Sequence, residues 1–174
     1  MKLKTVVILL ISLIISFFLD KRLIYYLISI RNPILDKLMV YSTYLGNVLM
    51  VTVFLLVFIF YIKEHRKYLF PLLFTITIAS TLTEIIKLIT KIPRPFLGLN
   101  LPILVTYSGY SFPSGHAMAL TIGYMFLKKE DTRLANFWLI FTIILLFGRI
   151  YTGLHYTSDI IGGMLIGYFI SSFF

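Results

Sequence analysis

The sequence predicts an all-α integral membrane protein: a six-helix bundle with a short amphipathic interfacial helix between the first and second spans. Three observations lead there. Of the 174 residues, 59% are hydrophobic and only 13% charged, against about 45–50% and about 25% in an ordinary soluble domain. Mean hydropathy is +0.95. Apolar runs recur six times along the chain, and a span needs roughly 17–25 apolar residues. This composition excludes a disordered chain, a nucleic-acid-binding arm and a typical soluble enzyme. Cysteine is absent, which removes disulfides and thiolate chemistry. The net charge of +9, in so apolar a chain, points to anionic lipid or an anionic substrate.

The first run, Thr5–Leu19, is flanked by Lys2 and Lys4 and by Asp20-Lys21-Arg22. No small-residue cleavage site follows it, so it reads as an uncleaved anchor. Residues 20–44 form a longer connection. Within it, Asn32-Pro33 has the form of a helix start. Ile34, Leu35, Leu38, Met39 and Ser42 then recur at helical spacing beside Asp36 and Lys37, as in an amphipathic helix at the membrane surface. The second run is Leu45–Ile62, closed by a basic segment that contains His65. The third is Pro71–Ile89. Thr90–Tyr110 follows as a loop, with five Pro or Gly residues. The remaining runs are Ala117–Leu127, Leu134–Gly148 and Ile160–Phe174. With no internal repeat or linker, residues 1–174 read as one membrane-embedded domain.

Basic residues set the orientation. With the N-terminus inside, eight fall on each side. Setting aside Lys87, Arg94 and Arg149, which have another use below, leaves eight against five. Both termini are therefore expected in the cytoplasm, with the protein in the plasma (inner) membrane.

The last three runs hold only 11–15 residues, too few to cross alone. Each is extended at its outward end by polar residues: Ser114-Gly115-His116, Arg149, and His155 through Asp159. The third run carries Lys87 at the same level. Ionisable groups at that depth are costly, and four segments converging on one level point to a site.

Three strings carry its chemistry: Lys87 followed, after six intervening residues, by Arg94-Pro95; Pro113-Ser114-Gly115-His116; and Arg149 with His155 and Asp159. Lys87, Arg94 and Arg149 supply three cations, and an arginine fork pairs bidentately with phosphate. Ser114-Gly115 reads as a helix N-terminus, which offers backbone N–H groups to an anion. His155 and Asp159 are four apart on one helix face. The carboxylate can fix the imidazole tautomer and leave the other nitrogen free to attack phosphorus. His116 can protonate a leaving oxygen. Taken singly, each string has a plain structural use: a helix start, an ion pair at a helix end, or a Lys87–Glu84 pair on one turn. Gly163 and Gly167 form a small-residue pair suited to internal helix packing.

Together the strings resemble the type-2 phosphatidic acid phosphatase superfamily, which includes membrane lipid phosphatases, glucose-6-phosphatase and vanadium haloperoxidases. Ten residue types, between Lys87 and Asp159, stand in the family's order and spacing. The resemblance implies a six-helix core with its site on the extracytoplasmic side. It makes His155 the nucleophile that becomes phosphohistidine, Asp159 its orienting partner, and His116 the general acid and then the base. Lys87, Arg94, Ser114, Gly115 and Arg149 become the phosphate-binding residues. One position departs: the family commonly has Ser before the third-string arginine, and this chain has Gly148.

The function so implied is hydrolysis of a phosphate monoester or terminal diphosphate on a membrane lipid. Candidate substrates are undecaprenyl or another polyprenyl diphosphate, phosphatidylglycerophosphate, phosphatidate and the 1-phosphate of lipid A. No metal or other cofactor is expected, and no nucleic acid; the bilayer and the lipid phosphate are the partners. The sequence leaves a lipid-to-lipid phosphotransferase open, because it does not separate water from a lipid acceptor. A non-catalytic anion-binding membrane protein or transporter would need polar groups deeper in the spans. A haloperoxidase would have no use for six spans.

Overall fold

The computed structural model describes residues 3–45, 67 and 69–173. The second apolar run, from residue 46 onward, and His65 lie outside the described residues. Among the described residues all the regular structure is helical, without strands. The helices are α1 (Leu3–Ser29), α2 (Pro33–Leu45), α3 (Leu69–Thr90), α4 (Pro95–Gly98), α5 (Gly115–Glu130), α6 (Thr132–Tyr151) and α7 (Thr157–Ser171). Three described segments are long and apolar enough to cross a membrane: Leu3–Ser29, Leu69–Gly98 and Thr132–Tyr151. Helix α7 is a shorter apolar helix.

Helix α5 is the hub. Ala117, Met118, Ala119, Leu120 and Ile122 are fully buried, and α5 packs on α3, α6 and α7. Its contact with α7 is unusually close, because two glycines remove the Cβ atoms that would hold the helices apart. A Cβ at Gly163 would run into the Ser114 carbonyl, and one at Gly167 would stand 2.6 Å from the Met118 carbonyl oxygen. The small-residue pair is thus spent inside the bundle. Trp138 of α6 closes the other side of the hub, its indole N–H donating to the Leu120 carbonyl at 2.8 Å.

The connection expected over 20–44 is mostly helix. Helix α1 does not stop at Leu19 but continues to Ser29. Its continuation is apolar on the inward face, where Ile24 and Leu27 are buried. The charge that looked like a terminator has a partner: Asp20 accepts the Ser158 amide at 3.0 Å and the Ser158 hydroxyl. A carboxylate from α1 thereby sits on the N-terminus of α7, where the unpaired amides and the helix dipole favour it.

Helix α2 begins where Asn32-Pro33 predicts, with the Asn32 side chain accepting the Leu35 amide at 3.0 Å. It lies against α6. The Tyr151 hydroxyl donates to Asp36 at 2.7 Å. Gly148 is what lets the two helices meet, since a Cβ there would collide with the Ser42 hydroxyl. The Thr90–Tyr110 loop contains the single turn α4, with Pro95 at its first position.

Thr5 of α1, Lys128 of α5, and Ser171 and Ser172 near the end of α7 line one cavity of about 560 Å³. Both ends of the described chain therefore lie at one end of the bundle, and the candidate site lies at the other.

Replacing Gly163 by leucine should separate α5 from α7. Overpacking of this kind costs about 1–3 kcal/mol. The expected outcome is a lowered thermal unfolding midpoint in detergent, against little change for Phe137→Leu on the exposed face of α6.

Candidate active site

Backbone hydrogen bonds staple the three strings together. The Phe96 amide donates to the Gly153 carbonyl at 3.0 Å, joining the first string to the third. Gly153 holds φ +75° in the α6–α7 turn, a conformation that favours glycine. The Ser114 amide donates to the Asp159 carbonyl at 2.9 Å, joining the second string to the third. The Ser111 amide reaches the Ile92 carbonyl at 2.8 Å and ties the loop's two ends together.

These ties bring Lys87, Arg94, Gly115, His116 and His155 around one pocket of about 480 Å³. Tyr107, Ser108 and Gly109 of the loop line it too, as do Ser80, Thr83 and Glu84 of α3. Ser114, Arg149 and Asp159 do not line that pocket; they are buried beside it.

His155 is 1% exposed. Its Nδ1 faces Asp159 Oδ2 at 3.3 Å, and its Nε2 faces the Arg94 guanidinium at 3.4 Å. Burial holds its pKa well below the ordinary histidine value, and the Arg94, Arg149 and Lys87 cations lower it further. The ring is therefore neutral near pH 7. With the carboxylate on Nδ1, the proton belongs on Nδ1 and the lone pair on Nε2. The Asp159 carboxylate itself is held by the Tyr156 amide at 2.7 Å and by the Ser111 hydroxyl.

The cations are held in three different ways. Lys87 pairs with Glu84 at 2.7 Å. Arg94 spends much of its fork on the backbone, donating to the carbonyls of Gly109 (3.2 Å), Leu154 (3.0 Å) and Ser108 (3.1 Å). It serves as a staple of the loop as much as a charge. Arg149 is 1% exposed and donates through Nη2 to the Thr43 carbonyl at 2.7 Å. Its Nε and Nη1 are buried and have no hydrogen-bond partner among the described residues. His116 Nε2 is in the same condition, with its ring centroid 6.1 Å from that of His155. Ser114 caps α5, its hydroxyl accepting the Ala117 amide at 3.4 Å.

A buried guanidinium with unused donors is costly unless an anion answers it. Three cations, a helix N-terminus and a neutral imidazole with its lone pair on Nε2 can together bind and attack a phosphoryl group. No group of three or more His, Asp and Glu side chains converges among the described residues.

Sequence reasoning missed Ser111, Tyr107 and the Thr43 carbonyl. Tyr107 lies under two cations, with Arg94 at 4.9 Å and Arg149 at 5.9 Å from its ring centroid. The Thr43 contact is made by a main-chain atom and has no signature in residue type. Ser111 and Tyr107 sit in an irregular loop, where no periodicity marks which side chains turn inward.

A model of the PAP2 superfamily matches residues 68–174. The chain is 32% identical over 124 residues to an undecaprenyl-diphosphatase of Sulfolobus acidocaldarius, a match covering 70% of this chain and 58% of that protein. It is 28% identical over 153 residues to the undecaprenyl-diphosphatase BcrC of Bacillus subtilis, covering 84% of this chain and 77% of the relative. Two crystal structures share the fold. One is a transmembrane PAP2-type phosphatidylglycerolphosphate phosphatase from Bacillus subtilis, with TM-score 0.76, 22% identity, and 97% and 94% of the two chains covered. The other is Aquifex aeolicus LpxE, with TM-score 0.78, 24% identity, and 89% and 93% covered. With a family match across more than half its length, and with the family's three strings gathered around one pocket, this integral membrane chain belongs to the PAP2 superfamily.

Proposed function

We propose that the protein is a membrane lipid phosphatase that hydrolyses a phosphate monoester or terminal diphosphate through a phosphohistidine on His155. The observation that carries this is the pair of unpartnered buried donors on Arg149 beside a neutral histidine whose Nδ1 is held by Asp159. Polyprenyl diphosphate leads the candidate substrates, since both relatives above are named undecaprenyl-diphosphatases. Phosphatidylglycerophosphate, phosphatidate and lipid A 1-phosphate follow.

In this reading His155 Nε2 attacks phosphorus in line with the leaving oxygen. Asp159 holds the imidazole by Nδ1 and stabilises the charge that develops on it. His116 gives its proton to the leaving oxygen, then takes one from the water that cleaves phosphohistidine. Lys87, Arg94 and Arg149, with the Ser114–Gly115 helix start, stabilise the phosphoryl oxygens, so that no metal is required. Residues 1–174 act as one domain of six spans, with α2 as the interfacial helix. Both termini lie in the cytoplasm, and the site opens to the extracytoplasmic side of the plasma membrane. The common end shared by Thr5 and Ser172 supports both termini being on one side.

The two histidines should separate by leaving group. General acid catalysis is worth about 10²–10⁴-fold. In a single turnover, His116→Ala should lose most of that factor on phosphatidate, whose leaving alcohol is strongly basic. It should lose visibly less on polyprenyl diphosphate. His155→Ala should be near background on both. Equal losses for His116→Ala on the two substrates would overturn its role as the acid.

The acid limb of kcat/KM should lie below the ordinary histidine pKa, because attack needs neutral His155 and its pKa is lowered in the free enzyme. Activity should therefore hold as pH falls through 6.5 and be lost only below that. Lys87→Gln removes one of the depressing charges, so the limb should move up. An acid limb above 6.5 in the wild type would contradict the assignment.

Topology is testable in this cysteine-free chain. A cysteine at Asn100 should react with an impermeant thiol reagent in intact cells, and one at Lys129 should not. The reverse pattern would put phosphate release in the cytoplasm.

A further inference from the structure

Helix α3 carries a threonine that behaves unlike its neighbours. Thr75, Thr77, Thr81 and Thr90 each donate their hydroxyl to the carbonyl one turn back, at 2.7–2.9 Å. That is the usual way for threonine to satisfy itself inside a helix. Thr83 does not. It is 1% exposed, and its Oγ1 is buried without a hydrogen-bond partner among the described residues. It also lines the candidate active-site pocket, with Ser80 one turn before it and Lys87 one turn after. Its methyl packs on the first turn of α5: a Cβ at Gly115 would lie 3.9 Å from Thr83 Cγ2. His116, whose Nε2 is likewise unpartnered among the described residues, is the next residue. The pocket that holds Lys87, Arg94, His116 and His155 is thus also lined by a residue with an unspent hydroxyl.

We infer that Thr83, with Ser80, forms a subsite for the second phosphate of a lipid diphosphate, and so makes the enzyme prefer diphosphates to monoesters. The inference rests on the phosphatase reading above. In the reaction, His155 Nε2 forms a bond to the terminal phosphorus, and the bond from that phosphorus to the bridging oxygen breaks. The electron pair leaves on the bridging oxygen, which takes the proton from His116, and the lipid monophosphate departs. Its phosphorus lies one bond beyond the bridging oxygen and its remaining oxygens two, and in this reading they fall against the part of the same pocket that Thr83 lines. A monoester puts a hydrocarbon there instead and leaves the hydroxyl unpaired. A site built to hydrogen-bond a substrate group discriminates against the analogue that lacks it.

The test compares a polyprenyl diphosphate with the monophosphate of the same chain length, assayed by phosphate release with purified protein in detergent. The readout is the ratio of kcat/KM for diphosphate to that for monophosphate. Thr83→Val keeps the shape and removes the hydroxyl, and should lower the ratio by roughly tenfold or more, as expected for a lost hydrogen bond to a charged group. Thr83→Ser keeps the hydroxyl and should retain most of the ratio. Should the valine variant not fold, Thr83→Ala should show the same selective fall. A ratio unchanged in Thr83→Val or Thr83→Ala would overturn the subsite, as would an equal fall in Thr83→Ser. Wild type that cleaves the monophosphate but not the diphosphate would overturn the subsite and leave the phosphatase standing. Release from neither substrate, nor from phosphatidate, would overturn both.

Discussion

The Asp159 carboxylate is the point on which the site depends. It accepts the Tyr156 amide and the Ser111 hydroxyl, and it faces His155 Nδ1. Its own backbone carbonyl accepts the Ser114 amide that opens α5. One residue therefore orders the first turn of α7, fixes the tautomer of the proposed nucleophile and registers the second string against the third. A buried carboxylate is costly to leave unpaired, so these contacts hold one another in place. Hydrogen bonds to a charged group are each worth about 1.5–3 kcal/mol.

Around that point, charge is concentrated rather than dispersed. Arg94, Arg149, His116 and His155 are buried together, and Lys87 joins them at the pocket. Mutual repulsion and desolvation oppose this arrangement. The fold offsets them with main-chain carbonyls: Gly109, Ser108 and Leu154 on Arg94, and Thr43 on Arg149. What is left over, on Arg149 and His116, are buried nitrogens without a partner among the described residues, which the proposed function assigns to the phosphoryl group. Burial first, and the neighbouring cations after it, keep His155 neutral.

Close helix packing makes the clustering possible. Gly163 and Gly167 let α7 lie against α5, which carries Asp159 to Ser114. Gly148 lets α2 lie against α6, which carries the Thr43 carbonyl to Arg149. The departure at Gly148 from the family's usual serine thus has a local reason. The Ser42 hydroxyl occupies the space into which a Cβ at residue 148 would project.

The sequence alone determined the helical, membrane-embedded class and singled out the charged side chains that the fold gathers at the candidate site. Apolar runs and rare ionisable groups at their ends are visible in residue order, because lipid tolerates few such groups. It also showed the start of α2, since Asn32-Pro33 is a local signal. It misjudged the end of α1, because Asp20 looks like a terminator until Ser158, 138 residues away, is seen to pair with it. Only the tertiary structure decided which donors of Arg94 are spent, that Arg149 leans on a carbonyl of α2, and that Thr83 stands apart from the other threonines of its helix. These depend on which atoms meet across helices. A side chain's partners at long sequence separation leave no trace in local composition or period.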